Sequence, residues 1–299
     1  MVVLLSGGTG GAKLARGMLD VLGDELTVIA NTGDDIEIYG SYVSPDPDLV
    51  TFWLADRIDE RGWGLAGDTF HVMDGLRELG DDVWFNLGDR DLAIGIERAR
   101  RLREGARLTE TLAELAAALG VSARVLPMSD EPVRTWVRAR GRWMALQEFL
   151  VRERGAGDVE RTLVRGVDRA RPAAEVLDAI AAARAIVIGP SNPVISIGPI
   201  LAVPDMRQAL LDSAAPVVAV SPIVGGEVLK GPTAAFMRAA GHAPTTDAIA
   251  TIYGGLIDGL VADDDADGLP VLRTDTLMAD AAARRRVAAA ALRFAEGLA

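Results

Sequence analysis

Val2-Val3-Leu4-Leu5-Ser6-Gly7-Gly8-Thr9-Gly10-Gly11-Ala12-Lys13, at the head of the chain, decides the fold class. Val2–Leu5 is a short apolar run with β-branched residues that glycines cut off at once, the pattern of a buried parallel strand. Ala12–Leu22 then sets Ala15, Met18, Leu19 and Leu22 on one apolar helical face, and Gly23 stops it. Leu26–Ala30 is a second buried strand, followed by the turn-rich Asn31-Thr32-Gly33-Asp34-Asp35. Strand, glycine loop, helix and strand within about 30 residues form a βαβ unit, which predicts a parallel sheet with a right-handed crossover.

The pattern resumes late. Ala185–Ile188, Pro216–Val220, Leu256–Val261 and Leu269–Leu272 read as strands, and the Ala/Arg-rich Ala279–Leu298 as a closing helix. Between the two strand-rich parts lies a helix-dominated middle. Asp91–Leu119 carries Ile94, Ala99, Leu102, Leu108, Leu112, Leu115 and Leu119 at helical spacings, without an obvious strand. Arg142–Arg152 fits a strand or a helix. The expectation is an α/β chain with a Rossmann-like, doubly wound, mostly parallel sheet. Its core would span residues 1–88 and 126–299, with a small inserted helical lobe over 89–125.

With 299 residues, 49% of them hydrophobic and 25% charged, the chain can bury a large core without disulfide or metal staples. It has no cysteine, which excludes disulfides, thiolate metal sites and cysteine nucleophiles. A net charge of −12 argues against a nucleic-acid partner, whose binding rests on Lys and Arg neutralising phosphates. The basic run Arg98–Arg107 reads as a solvated helix face. Met1–Leu5 has no basic region and Ser6 and glycines interrupt it, so no signal peptide is read. Ala179–Gly189 and Ala214–Val224 fall short of the roughly 20 residues of a membrane span. These features predict a cytoplasmic protein with neither nucleic-acid nor membrane partners.

Glycines at Gly7, Gly8, Gly10 and Gly11 let backbone approach a phosphate, while free N–H groups and the partial positive charge of a helix start attract the anion. Thr9 and Lys13 add a hydroxyl and an ammonium. The loop is not a Walker A loop, because Lys13 follows Ala12 and no Ser or Thr comes next. Nor is it a full dinucleotide fingerprint, because Lys13 stands where the third glycine belongs. The alternative is a turn that needs glycine for packing alone.

Asp34 and Asp35 follow the second strand at the carboxyl edge of the sheet, where open α/β sheets hold their ligands. Two adjacent acids suit a metal or a substrate hydroxyl. Ser44-Pro45-Asp46-Pro47-Asp48 adds two carboxylates on a proline-fixed loop, and such hard oxygen ligands, combined with phosphates, suit Mg²⁺. Each acid alone is also an ordinary cap, Asp48 for a helix starting near Leu49. In Asn86-Leu87-Gly88-Asp89-Arg90-Asp91, Asp89 or Asp91 caps the next helix, or Arg90 meets an anionic or planar ligand. In the second half, Ser191-Asn192 and Ser221-Pro222 each follow a strand, with Gly225-Gly226 and Lys230-Gly231-Pro232 beyond. Their donors, in register with the first loop, imply one shared crevice. His71 and His242 have no ligand-spaced neighbours and support neither a zinc site nor a Ser-His-Asp triad.

Taken together, SGGTGGAKLARG (6–17), NTGDD (31–35), SPDPD (44–48), GDTF (67–70), LGDRDLA (87–93) and LPMSDEPV (126–133) resemble the 2-phospho-L-lactate transferase family (CofD, or FbiA in actinobacteria) of coenzyme F-420 biosynthesis. The likeness continues through GPSNPVISIGPIL (189–201), VAVSPIVGG (218–226), KGP (230–232) and TDTLM (274–278). It spans nearly the whole chain in order. Pro47 stands where a Leu is more usual, and Asn86 where some relatives carry a basic residue.

The resemblance implies a Rossmann-like homodimer with a small helical lobe. It would move a phospholactyl or phosphoenolpyruvyl group from a guanosine diphospho donor to the deazaflavin alcohol Fo, releasing GMP, with Mg²⁺. Asp48, Asn86, Asp89 and Arg90 would then meet Fo, while Gly7, Gly8, Thr9, Gly10, Gly11, Lys13, Ser191, Asn192 and Ser221 hold the nucleotide. Asp34, Asp35 and Asp48 are the candidate Mg²⁺ ligands, and Asp34 and Asp48 the candidate catalytic carboxylates, Asp34 first as acceptor of the hydroxyl proton. The rival of another class is a non-catalytic nucleotide-sugar-binding regulator of the gluconeogenesis-factor (YvcK) type. A NAD-dependent dehydrogenase fits less well, because the fingerprint is incomplete.

Overall fold

The computed structural model describes residues 1–228 and 231–299. The chain opens with β1 (Val2–Ser6), α1 (Gly8–Leu22) and β2 (Leu26–Ala30), the expected βαβ unit. Val3 and Leu5 enter the core on one face of the sheet, Val2 and Leu4 the core on the other, so every position of the strand must be apolar. Helix α1 begins at Gly8, four residues before the Ala12 read from periodicity, because the glycines themselves form its first turn. An antiparallel hairpin follows, β3 (Ile36–Ile38) and β4 (Ser41–Val43), and then α2 (Pro45–Leu54), α3 (His71–Glu78), α4 (Asp89–Arg103) and α5 (Leu108–Ala118). Next come β5 (Arg124–Pro127) and an antiparallel sheet of β6 (Arg134–Ala139), β7 (Arg142–Ala145) and β8 (Val159–Arg165).

That antiparallel sheet corrects the helix-dominated reading of the middle. Its strands carry arginines on the exposed face, and Arg165 lies 3.8 Å over the Trp136 ring, so charge masked the alternation. The segment 142–152, compatible with strand or helix, is both in turn: β7, then a π-helical turn at Glu148–Arg152. The remainder is α6 (Ala174–Ala181), β9 (Ala185–Ile188), α7 (Ile197–Ala202), α8 (Met206–Asp212), β10 (Val217–Val220), a hairpin β11 (Ile223–Val224) and β12 (Glu227–Val228), α9 (Thr233–Ala239), α10 (Thr246–Ile252), β13 (Gly259–Ala262), β14 (Val271–Arg273) and α11 (Ala281–Glu296). The strand expected from Leu256 starts only at Gly259, because Leu256 packs into the core from the preceding turn.

The seven-stranded sheet runs β14-β13-β10-β9-β1-β2-β5, and every pair in it is parallel. Side chains from α1, α2 and α11 cover one face, and those from α6, α7, α8 and α10 the other. The fold is therefore doubly wound. Strand order reverses between β1 and β9, and such a switch point opens a crevice at the carboxyl ends of the strands. Beside it, Val43, Met73, Leu87 and Leu92 form a separate small core under α3 and α4.

Candidate active site

The glycine loop sits at the switch point. Gly7 donates its amide to Ser191 Oγ at 3.2 Å, which joins the loops after β1 and β9 into one wall, as the shared-crevice reading expects. Gly8 has φ +62°, a left-handed conformation that favours glycine. A side chain at Gly10 would overlap the Pro190 carbonyl oxygen, so glycine here serves packing as well as access. Gly8 donates to Asp46 Oδ1 at 2.5 Å. Thr9 and Gly10 lie in the first turn of α1, where backbone amides lack an i−4 carbonyl acceptor. Together with the positive end of α1 they make the kind of donor set that attracts an anion.

Asp34 and Asp46 face each other across the mouth of this loop. Asn31 Nδ2 donates to Asp46 Oδ2 at 2.8 Å, and Gln147 Nε2 to Asp34 Oδ2 at 3.1 Å. Asp34 Oδ1 is buried without a hydrogen-bond partner among the described residues. Burial raises the pKa of Asp34 well above the usual carboxylate range, and the neighbouring Asp46 and Asp35 charges raise it further. Burial also raises Asp46, against hydrogen bonds from Asn31 and Gly8 that favour its ionised form. Burial and like charge therefore both favour the protonated form of Asp34.

Behind the pair lies a second ionic layer. Asp35 accepts from Ser44 Oγ at 2.6 Å and Tyr42 OH at 2.9 Å; burial lifts its pKa to about 7, with Arg134 pulling it back. Asp48 is held by both terminal nitrogens of Arg98, which also donates to the Tyr42 carbonyl at 2.9 Å. Arg98, read as part of a solvated basic face, is instead fully buried. Its charge survives there because Asp48 pairs it bidentately. The 44–48 loop is in fact the N-cap and first turn of α2, with Pro45 at the position where its missing N–H is harmless. Residues two apart on a helix point about 200° apart, so only one of Asp46 and Asp48 reaches the crevice. That one is Asp46.

One cavity of about 570 Å³ runs along the strand ends. Gly7, Gly8, Thr9, Gly10, Lys13, Asp34, Ser191, Asn192 and Ser221 line it; Gly11 is packed behind on Ser6 and Ser191. Asp35, Asp48, Asn86, Asp89 and Arg90 do not line it. Asp89 accepts from Thr69 Oγ1 and the amides of His71 and Val72, capping α3. Asp68, not Asp89 or Asp91, caps α4 by accepting from the Arg90 and Asp91 amides. Asn86 accepts from Arg77 Nη2 at 2.6 Å, and Arg90 is exposed at the start of α4. Lys230 lies outside the described residues.

Of the expected metal ligands, Asp34 has an oxygen without a hydrogen-bond partner among the described residues, whereas hydrogen bonds occupy Asp35 and Asp48. Among the described residues no three His, Asp or Glu side chains form a ready-made metal cage. A hard cation that binds through substrate phosphates needs only one or two carboxylates, the number that Asp34 with Asp46 would provide. Sequence reasoning missed Asp46 as the crevice carboxylate, Gln147, Arg98 and Thr276. Asp46 had a signal in the proline at the helix start, and Thr276 lies within TDTLM, one of the segments that carry the family likeness.

Among the described residues no helix is long and apolar enough to cross a membrane. The family model for 2-phospho-L-lactate transferase CofD matches residues 2–287. A phosphoenolpyruvate transferase of Kitasatospora aureofaciens is 42% identical, over 99% of this chain and 98% of its own length. A 2-phospho-L-lactate transferase of Methanosarcina mazei is 40% identical, over 93% and 94%. The crystal structure of a UPF0052 family protein from Bacillus halodurans superposes with a TM-score of 0.63 at 18% identity, covering 97% of this chain and 98% of that one, a likeness of fold.

Proposed function

The chain belongs to the 2-phospho-L-lactate transferase family, and on that premise we propose that it moves a phospholactyl or phosphoenolpyruvyl group from a guanosine diphospho donor to the primary alcohol of the deazaflavin Fo, releasing GMP, in coenzyme F-420 biosynthesis. The observation that carries this reading is the single crevice joining an anion-binding glycine loop to the Asp34–Asp46 pair. The Thr9 and Gly10 amides and Lys13 hold the diphosphate at the start of α1. Asp34, kept basic by burial and by its neighbour, accepts the hydroxyl proton as the alcohol oxygen bonds to the lactyl-bearing phosphorus and the bond to the GMP oxygen breaks. Alignment of donor and acceptor in one rigid cleft supplies much of the rate. Asp34 and Asp46 would hold Mg²⁺, which neutralises charge on the diphosphate when bound. On the acceptor side, Arg90 stands exposed to meet the deazaflavin, while Asp48 acts through Arg98 to fix α2 and aim Asp46.

The test is turnover of Fo with each donor, followed by mass detection of product. Asp34→Asn and Asp46→Asn should each lower turnover by about 100-fold or more at saturating Mg²⁺. Near wild-type turnover in both variants would sink the assignment.

A further inference from the structure

One wall of the crevice comes from the segment after β7, outside the parallel sheet. Leu146, Leu150 and Arg154 line the cavity there. Leu146 and Leu150 stand four residues apart on the helical turn that includes Glu148–Arg152, so they share a face of it. Gln147, beside them, donates to Asp34 Oδ2 at 3.1 Å, which fixes this wall to the acidic pair. A π-helical turn of this kind is rare and recurs at functional sites.

The end of the turn is tied down around Arg154. Glu153 accepts from Arg140 Nη1 at 3.1 Å and from Arg142 Nη2 at 2.5 Å, and Arg152 Nη2 donates to Asp82 Oδ2 at 2.6 Å. The Gly155 amide donates to the Phe149 carbonyl at 2.8 Å, and Phe149 packs edge-on against Phe236 in the buried core beneath. Arg154 itself has φ +56°, a left-handed conformation that a non-glycine residue keeps where its surroundings impose it. The two residues before it are committed to ion pairs, whereas Arg154 is exposed and makes none among the described residues.

Among the described residues the cations that line the cavity are Lys13 and Arg154, and Lys13 belongs to the helix whose start receives the phosphates. Arg154 is then a guanidinium at the end of an apolar wall, in a crevice whose acids are Asp34 and Asp46. A planar guanidinium pairs bidentately with a carboxylate, a selectivity that an ammonium lacks. The transferred group, with lactate or with enolpyruvate, is a carboxylate on a short apolar carbon chain. We propose that Arg154 is a specificity-determining residue that binds this carboxylate, with Leu146 and Leu150 against the carbon atoms beside it. The proposal rests on the donor reading above and adds which residues hold the group that moves.

The experiment is equilibrium binding, without Fo, of three kinds of ligand to the whole chain, to Arg154→Gln and to Arg154→Lys. The ligands are GDP, the guanosine diphospho donors that carry lactate or enolpyruvate, and the β-phosphate ethyl ester of GDP, which keeps carbon atoms but no carboxylate. Arg154→Gln should bind both acid-bearing donors about 10- to 100-fold more weakly, with GDP and its ethyl ester unchanged. Arg154→Lys, which keeps the charge without the fork, should fall between Arg154→Gln and the parent chain. Equal donor affinity in Arg154→Gln and the parent chain overturns the proposal and leaves the donor reading standing. A parallel loss of GDP and its ethyl ester also overturns it, because Arg154 would then hold phosphate. If the parent chain binds GDP but neither donor passes its group to Fo, the donor reading fails and this proposal falls with it.

Discussion

Replacing Arg98 by methionine leaves Asp48 buried against α4 with no counter-charge. Removing one partner of such a pair costs about 3–5 kcal/mol, more than any exposed pair on this surface would, because the stranded charge has no water to turn to. Chemical denaturation should show that loss in Arg98→Met. The Arg98→Met/Asp48→Leu double variant should recover part of it, since an apolar pair strands no charge. Additive losses in that cycle would show that the bridge does not couple lobe to core. Local sequence conceals this role: Arg98 sits among Arg100, Arg101 and Arg103, which pair with glutamates at the surface or hydrogen-bond the helix backbone, and only tertiary packing singles it out. The same holds for Asp46 and Asp48, whose directions become opposite only once Ser44–Asp48 is known to begin a helix.

At the scale of elements, α3 and α4 cap each other's neighbourhoods. Asp89, in the first turn of α4, takes the first amides of α3, and Asp68, just before α3, takes those of α4. Negative charge at a helix start is favourable to both, and the exchange closes the loop between GDTF and GDRD. The two motifs are thus accounted for structurally as well as by any contact with substrate. Asp68→Ala should destabilise the lobe by about 1 kcal/mol. Hydrogen exchange should then speed up at Arg90–Leu92 while the amides of α1 keep their protection. Unchanged exchange at 90–92 would mean that another group caps α4. The helices themselves were legible from apolar spacing. Their caps were not, because the capping carboxylates come from residues about 20 positions away.

For the molecule as a whole, the buried carboxylates in and behind the crevice set how stability depends on pH. Burial raises the pKa of Asp34 and Asp46, and lifts Asp35 and Asp91 to about 7. A folded pKa above the unfolded one stabilises fully below the unfolded value, near 4, and that contribution is lost as pH rises through the folded value. The ligand-free chain should therefore melt at a lower temperature at about pH 8 than at about pH 5, and Asp35→Asn should flatten the slope. A melting temperature that rises over this range in both proteins would contradict the burial of these groups. Sequence alone determined the βαβ opening, the parallel doubly wound sheet and the glycine loop at a helix start, because these follow from local periodicity and from what glycine permits. It also carried the family likeness, written across nearly the whole chain. Tertiary structure decided which carboxylate faces the crevice, that Arg98 is buried, and that three charged strands form a separate sheet. Each of these depends on burial and on groups distant in sequence, and no local pattern encodes how much water a side chain keeps.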